Sequence, residues 1–291
     1  MAHKINEALK YGRDILSKNG IEPREARLLL AYSMGISIND LMKNTDCTEE
    51  EHQSFICAIN RRIAGEPYAY ITGRKEFMKL NLKVNEHTLI PRDDTEILVE
   101  KAIEIIETYQ ESRKVIPLLK KEMRKLRILD MCTGSGCIAI SIAKYTSNVI
   151  IDASDISKEA LSVASENVYG NQVKVNLIHS NLFEKINHQY DIIISNPPYI
   201  VSNEISKLQQ EVQREPHIAL DGGEDGLDFY RKIAKDAINF LRPNAYLLFE
   251  IGYDQGEAVS KILGENCYTN IEVIKDFSEN DRVVIANYYI D

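Results

Sequence analysis

The residues best suited to chemistry lie in Asp191-Ile192-Ile193-Ile194-Ser195-Asn196-Pro197-Pro198-Tyr199. The apolar run reads as a buried strand, and it ends directly on Asn-Pro-Pro-Tyr. Pro197 holds Asn196 in extended backbone geometry, and the paired prolines remove two backbone donors that would compete at the same place. The Asn196 side-chain oxygen and the Pro197 carbonyl can then accept both hydrogens of a planar NH2 group, while Tyr199 can cover its flat face. Such a nitrogen is a weak nucleophile because its lone pair is delocalised. Two aligned acceptors orient it toward an electrophile by preorganisation and proximity. The competing reading of these residues is a plain Pro-Pro turn.

A second constellation precedes it. Ile128-Leu129-Asp130-Met131-Cys132-Thr133-Gly134-Ser135-Gly136 reads as a strand, a Gly-x-Gly turn and the start of a helix near Cys137. Glycines there permit a tight turn and close approach of a ligand to the backbone. A lone Gly-x-Gly is equally compatible with a simple strand–helix turn. About 20 residues on, the next strand ends in Asp152-Ala153-Ser154-Asp155, where an acidic residue can accept both hydroxyls of a ribose; alternatively, Asp155 caps the helix that begins near Ser157. The full dinucleotide fingerprint is missing, which favours a nucleoside without pyrophosphate, such as S-adenosylmethionine, over NAD.

The elements that must position these residues alternate in type. Strand-like runs recur at Arg127–Met131, Val149–Ser154, Val173–Ile178, Asp191–Ser195, Tyr246–Ile251 and Val283–Tyr288, separated mostly by helical patterns that include Ser157–Tyr169, Phe229–Leu241 and Gln255–Leu263. A further helix over Thr95–Tyr109 opens with acidic residues at its positive end. Alternation of this kind predicts an α/β domain with a mainly parallel sheet covered on both faces. The short DFSENDR connection predicts one antiparallel strand near the C-terminus.

Before residue 75 the pattern is helical and well punctuated. Thr48 and Glu51 form a capping box ahead of Phe55, Ile56, Ile59 and Ile63, and Pro23 suits the first turn of another helix. Met78, Leu80, Leu82 and Val84 then alternate with polar residues, which predicts a β-hairpin. The expected organisation is a helical domain over 1–75, a hairpin linker over 76–90 and an α/β domain over 91–291.

The 291 residues carry a formal charge of −9 with 44% hydrophobic content, a poor fit to a protein whose affinity comes from neutralising phosphates. The segment Arg113–Arg127 is one candidate for a local basic patch and reads as a solvated loop and helix face before a strand. No apolar run approaches the ~20 residues of a membrane span, the start is charged from the outset, and the five cysteines include no CxxC pair. A cytoplasmic protein without metal, membrane anchor or stably bound nucleic acid is expected.

The whole set of motifs resembles the protein-(glutamine-N5) methyltransferase family that modifies peptide-chain release factors. The resemblance runs through Gly65-Glu66-Pro67-Tyr68, Ile90-Pro91-Arg92 with Thr95-Glu96, the Gly134 loop and Asn196-Pro197-Pro198-Tyr199. It continues in Glu215-Pro216, Ala219-Leu220-Asp221-Gly222-Gly223-Glu224-Asp225-Gly226-Leu227, and Glu250-Ile251-Gly252 with Gln255. It implies a Rossmann-like methyltransferase domain, S-adenosylmethionine as donor with S-adenosylhomocysteine as product, and the glutamine of the Gly-Gly-Gln motif of class-1 release factors as acceptor. The implied donor site is Asp130, Thr133, Gly134, Ser135, Gly136, Asp155, Ile156, Asn181, Leu182 and Asn196, with Asn196, Pro197 and Tyr199 catalytic and Asn196, Pro197, Pro198 and Tyr199 binding the substrate. The helical domain would recognise the substrate, and a monomer is expected. The chain departs from the family in Asp93-Asp94, where Pro-Glu is common, and in Asn181, where an Asp commonly meets the adenine amine; Cys132 replaces the first glycine of the broader nucleoside-loop pattern, a substitution that suits this family. Two competing functions are an adenine methyltransferase of DNA or RNA, which would have to flip its base, and a nucleoside-binding regulator without turnover.

Overall fold

The computed structural model describes residues 2–115 and 124–289; the basic segment Arg113–Arg127 therefore lies largely outside the described residues. The chain forms two compact units. The first comprises Met1–Gly73 with Gln209–Arg214, and the second Arg74–Leu208 with Glu215–Asp291.

In the first unit, β1 (His3–Lys4) pairs with β2 (Asp46–Cys47), and α1 (Ile5–Lys18), α2 (Glu25–Ser33) and α4 (Glu49–Ile63) share one apolar cluster; α3 (Ile38–Leu41) and α5 (Tyr68–Thr72) complete it. The capping box forms as expected: the Glu51 amide donates to Thr48 Oγ1, and the Thr48 amide donates to Glu51 Oε2. Pro23 lies in the turn that leads into α2, where its carbonyl accepts the Ala26 amide. Arg62, at 4% exposure, is paired with Glu25 at 2.6 Å and Glu211 at 2.7 Å. This ion pair ties the returning Gln209–Arg214 segment into the unit. A buried guanidinium needs that compensation, because an unpaired one is costly.

The second unit begins with the hairpin β3 (Arg74–Phe77) and β4 (Leu80–Lys83), whose burial alternates along β4. Phe77, Leu80 and Leu82 belong to the same apolar cluster as the central strands, so the hairpin packs as part of this unit. Asn167 fixes it further, accepting the Lys83 amide at 2.6 Å and donating to the Lys83 carbonyl.

The remaining elements are α6 (Thr95–Val115), β5 (Leu126–Met131), α7 (Cys137–Tyr145), β6 (Val149–Asp155), α8 (Lys158–Asn171), β7 (Asn176–His179), β8 (Tyr190–Ser195), α9 (Asp228–Ala237), β9 (Leu241–Glu250), α10 (Gly256–Glu265), β10 (Tyr268–Lys275) and β11 (Asp281–Tyr288). The seven sheet strands lie in the order β10-β11-β9-β8-β5-β6-β7. β11 is antiparallel to both of its neighbours, and the pairings from β9 to β7 are parallel. Ile192 and Ile194 face one apolar cluster and Ile193 the other, which is why this strand reads as a continuous apolar run. From β5 the chain first builds outward through β6 and β7, then returns to place β8 on the other side of β5. The crevice beyond the carboxyl ends of β5 and β8 is thus the topological switch point, where open α/β sheets bind ligands.

Candidate active site

The loop after β5 has three residues at positive φ: Cys132 (62°), Gly134 (55°) and Gly136 (83°). Asp130 holds it from beneath, accepting the Thr133 hydroxyl at 2.5 Å and the Ala139 amide at 3.1 Å on Oδ2. Asp130 is fully buried, its Oδ1 has no partner among the described residues, and burial pushes its carboxyl up to about 7. The Gly134 amide donates to Asp155 Oδ2 at 2.8 Å, and the Ser157 amide to Asp155 Oδ1 at 2.9 Å. Asp155 therefore ties the two strand ends together, while the Ser157 hydroxyl caps α8 by accepting the Ala160 amide. Burial raises the Asp155 carboxyl, opposed by the backbone donors of Ser157, Gly134 and Ile156.

A cavity of about 310 Å³ opens at this switch point, within the size range of small-molecule sites. Gly134, Asp155, Ile156, Asn181, Leu182, Asn196 and Pro198 all line it. Asp130, Thr133, Ser135, Gly136, Pro197 and Tyr199 are not on its wall. Asp130 supports the glycine loop from beneath, and Thr133, Ser135 and Gly136 form part of it. The Tyr199 ring packs against the apolar cluster of α9 and β9, and burial raises its phenol. Asn181 donates through Nδ2 to Glu184 at 2.7 Å, which leaves its amide oxygen as the acceptor, in the role expected where an Asp is common.

The Asn196–Tyr199 turn is held from distant parts of the chain. A Cβ on Gly222 would stand 2.6 Å from Tyr199 Cα, and one on Gly226 would stand 2.5 Å from the Tyr199 carbonyl oxygen. Gln255 donates to that same carbonyl at 3.0 Å. The Gly222 amide donates to the Ile200 carbonyl at 2.8 Å, and Ile200 pairs with Asp221 in an isolated bridge. The Gly-Gly-Glu-Asp-Gly-Leu segment thus presses against the turn as a backbone clamp, which requires glycine at its two contact points. The buried Glu215 carboxylate accepts the Ile90 amide at 2.9 Å and the Arg92 guanidinium at 2.5 Å, joining two further motifs. Asp93 pairs with Lys75 at 2.6 Å and Asp94 with Arg282 at 3.3 Å.

Sequence reasoning missed His87, Thr88, Leu89, Phe229 and Lys232 on the cavity wall. Leu89 directly precedes the Ile90-Pro91-Arg92 motif and Phe229 follows the glycine clamp by two residues, so proximity to a motif was the available signal. Among the described residues no cluster of metal-ligating side chains occurs, and no helix is long and apolar enough to cross a membrane.

Two family profiles match the chain: the PrmC N-terminal domain over residues 7–73 and the methyltransferase small domain over residues 110–224. A methyltransferase from Pyrococcus furiosus is similar in fold alone, with a TM-score of 0.51 and 16% identity over 81% of this chain and 98% of that one. Fold, cavity and profiles define a Rossmann-like methyltransferase. The release factor glutamine methyltransferase of Clostridium acetobutylicum is 39% identical over 97% of this chain and 98% of its own length. The chain belongs to the release factor glutamine methyltransferase family. It is also 39% identical to a bifunctional methyltransferase of Rickettsia typhi, over 98% of this chain but only 57% of that protein. It therefore spans little more than half the length of that relative.

Proposed function

We propose that this chain transfers the methyl group of S-adenosylmethionine to the side-chain amide nitrogen of the glutamine in the Gly-Gly-Gln motif of class-1 release factors. The observation that carries the reading is one cavity at the switch point lined both by nucleoside-type residues and by Asn196 and Pro198. The Ser154 hydroxyl, on the cavity wall and buried without a partner among the described residues, suits a polar ligand that supplies the missing partner.

The donor, when bound, supplies a methyl group activated on a sulfonium. Asp155 accepts the ribose hydroxyls, the Gly134 backbone allows close approach, and Ile156, Leu182 and Asn181 flank the adenine. On the acceptor side, Asn196 Oδ1 and the Pro197 carbonyl accept the two N–H bonds of the glutamine amide. This directs the nitrogen lone pair at the methyl carbon and stabilises positive charge as it develops on the nitrogen. The methylated amide cation is strongly acidic and gives its proton to water, so no strong base need act beforehand.

Recognition of a common side chain requires contacts remote from the reacting nitrogen. We assign that task to the helical unit, with release factors as partners of a cytoplasmic monomer that holds no nucleic acid stably. Methylation of adenine in DNA or RNA fits less well, given the net charge of −9 and the family membership. Incubation with labelled donor and a release factor, followed by mass-spectrometric mapping, should place one methyl on the Gly-Gly-Gln glutamine. Labelling of nucleic acid with none on the release factor would overturn the assignment.

A further inference from the structure

Asn196 can serve as an acceptor only if Oδ1 and not Nδ2 faces the cavity, and an amide side chain offers both orientations at nearly equal shape. Something on the protein side must choose. The Asn196 Nδ2 donates to Thr95 Oγ1 at 3.5 Å. A hydroxyl cannot make the choice alone, because it can as well donate to Oδ1 as accept from Nδ2. The next group beyond it is Glu250. β8 and β9 pair in parallel with Ser195 opposite Phe249, so Asn196 and Glu250 leave the sheet side by side. Glu250 is 1% exposed, and the Thr95 and Asn196 side chains favour its charged form. Its Oε2 has no hydrogen-bond partner among the described residues.

We propose that Glu250 is a positioning residue that sets the polarity of an Asn196–Thr95–Glu250 relay and so keeps Asn196 Oδ1 turned to the acceptor. An ionised carboxylate only accepts. It accepts a hydrogen bond from the Thr95 hydroxyl and leaves the Thr95 lone pairs to the Asn196 NH2, which fixes the amide in one orientation. A buried carboxylate is expensive to keep, and an apolar residue would serve the packing of β9 better. The groups facing Glu250 are Arg282 from β11, which favours the charged form, Asp94 ahead of α6, which opposes it, and the neutral Tyr199, Tyr230 and Cys137. Burial outweighs the stabilising partners and pushes the Glu250 carboxyl up to about 7. Once protonated, Glu250 can donate as well as accept, the relay loses its polarity, and Asn196 is free to flip.

The inference rests on the methyl-transfer reading, yet part of its test needs no acceptor. In protein labelled with 15N at asparagine, the Asn196 side-chain amide resonances should shift with an apparent midpoint near pH 7. In Glu250→Gln that shift should be absent. At saturating donor and release factor, wild-type kcat should fall as pH drops through about 7. Glu250→Gln should lower kcat about tenfold at pH 8, lose that acidic limb, and leave donor affinity and the KM for release factor within about twofold. Thr95→Val, which breaks the relay at its middle, should lower kcat similarly, and Thr95→Ser should restore it. That pair keeps the inference testable should Glu250→Gln fail to fold. Wild-type kcat in folded Glu250→Gln or in Thr95→Val would overturn it, as would Asn196 resonances identical in the two proteins across the pH range. A wild-type protein that shows the resonance shift but methylates no release factor would defeat the functional reading and leave the positioning role standing.

Discussion

The ends of β5 and β8 lie side by side at one cavity but are held in place by opposite means. The glycine loop after β5 is secured locally: Asp130 bonds to Thr133 and Ala139, within nine residues of itself, and Asp155 closes the loop from the next strand. The Asn196–Tyr199 turn after β8 makes few local bonds. It is braced by Thr95 a hundred and one residues upstream, and by Gly222, Gly226 and Gln255 downstream. On the proposed reading, a donor site centred on the loops after β5, β6 and β7 can tolerate change elsewhere in the chain. An acceptor site assembled from four segments would depend on all of them, and damage far from Asn196 should appear in turnover before it appears in donor binding.

The sharpest way to break this comparison is Asn196→Ala. It should cut kcat by about two orders of magnitude or more, the scale of losing one oriented partner in a preorganised site, while calorimetric donor affinity changes little. A parallel loss of both would merge the two walls into one unit. Asp155→Ala should do the reverse, weakening donor binding by about 1.5–3 kcal/mol, as for a hydrogen bond to a charged group, with turnover recovered largely at saturating donor. Unchanged affinity in the folded variant would remove Asp155 from the donor wall.

Gly222→Ala tests the clamp. Its Cβ would meet Tyr199 backbone within 2.6 Å, and neither segment can move without displacing the turn. Stability should fall by about 1–3 kcal/mol and kcat by roughly tenfold, by the sensitivity of turnover to small displacements of a positioned group, with donor affinity near that of wild type. Smallest in effect is the pH dependence of Asp130. Its folded pKa is raised to about 7 from an ordinary value near 4, so its contribution to stability is fully present below about pH 4. That contribution is lost as pH rises toward 7. Asp130→Asn should therefore gain thermal stability relative to wild type between pH 5 and 7.5. A difference in Tm that stays constant over that range would show that Asp130 is ionised throughout.

The same local and long-range division decided what the sequence disclosed. The strand ends, the Gly134 loop, Asp155 and the Asn-Pro-Pro-Tyr turn were legible because each is a short segment whose period and turn residues carry the signal. The start of β9 was not. Arg242-Pro243-Asn244 reads as a loop, and the expected strand began at Tyr246; the structure starts β9 at Leu241 and absorbs those residues in a register shift with Asn244 at a φ of 61°. Proline is tolerated in a strand where the ladder is interrupted in this way. On the cavity, Lys232 and His87 had no local signature, since only the packing of α9 and of the segment after the hairpin brings them to the wall. The glycines of the Gly222–Gly226 clamp could be matched to a family but not assigned a physical task until Tyr199 was seen beneath them.

The most direct test of the account is a crystal structure of the protein with S-adenosylhomocysteine and a Gly-Gly-Gln-containing release factor fragment. The ribose should lie on Asp155, with the adenine between Ile156 and Leu182. The glutamine NH2 should stand within hydrogen-bonding distance of Asn196 Oδ1 and the Pro197 carbonyl. A glutamine amide bound away from Asn196, or a nucleoside outside this cavity, would contradict it.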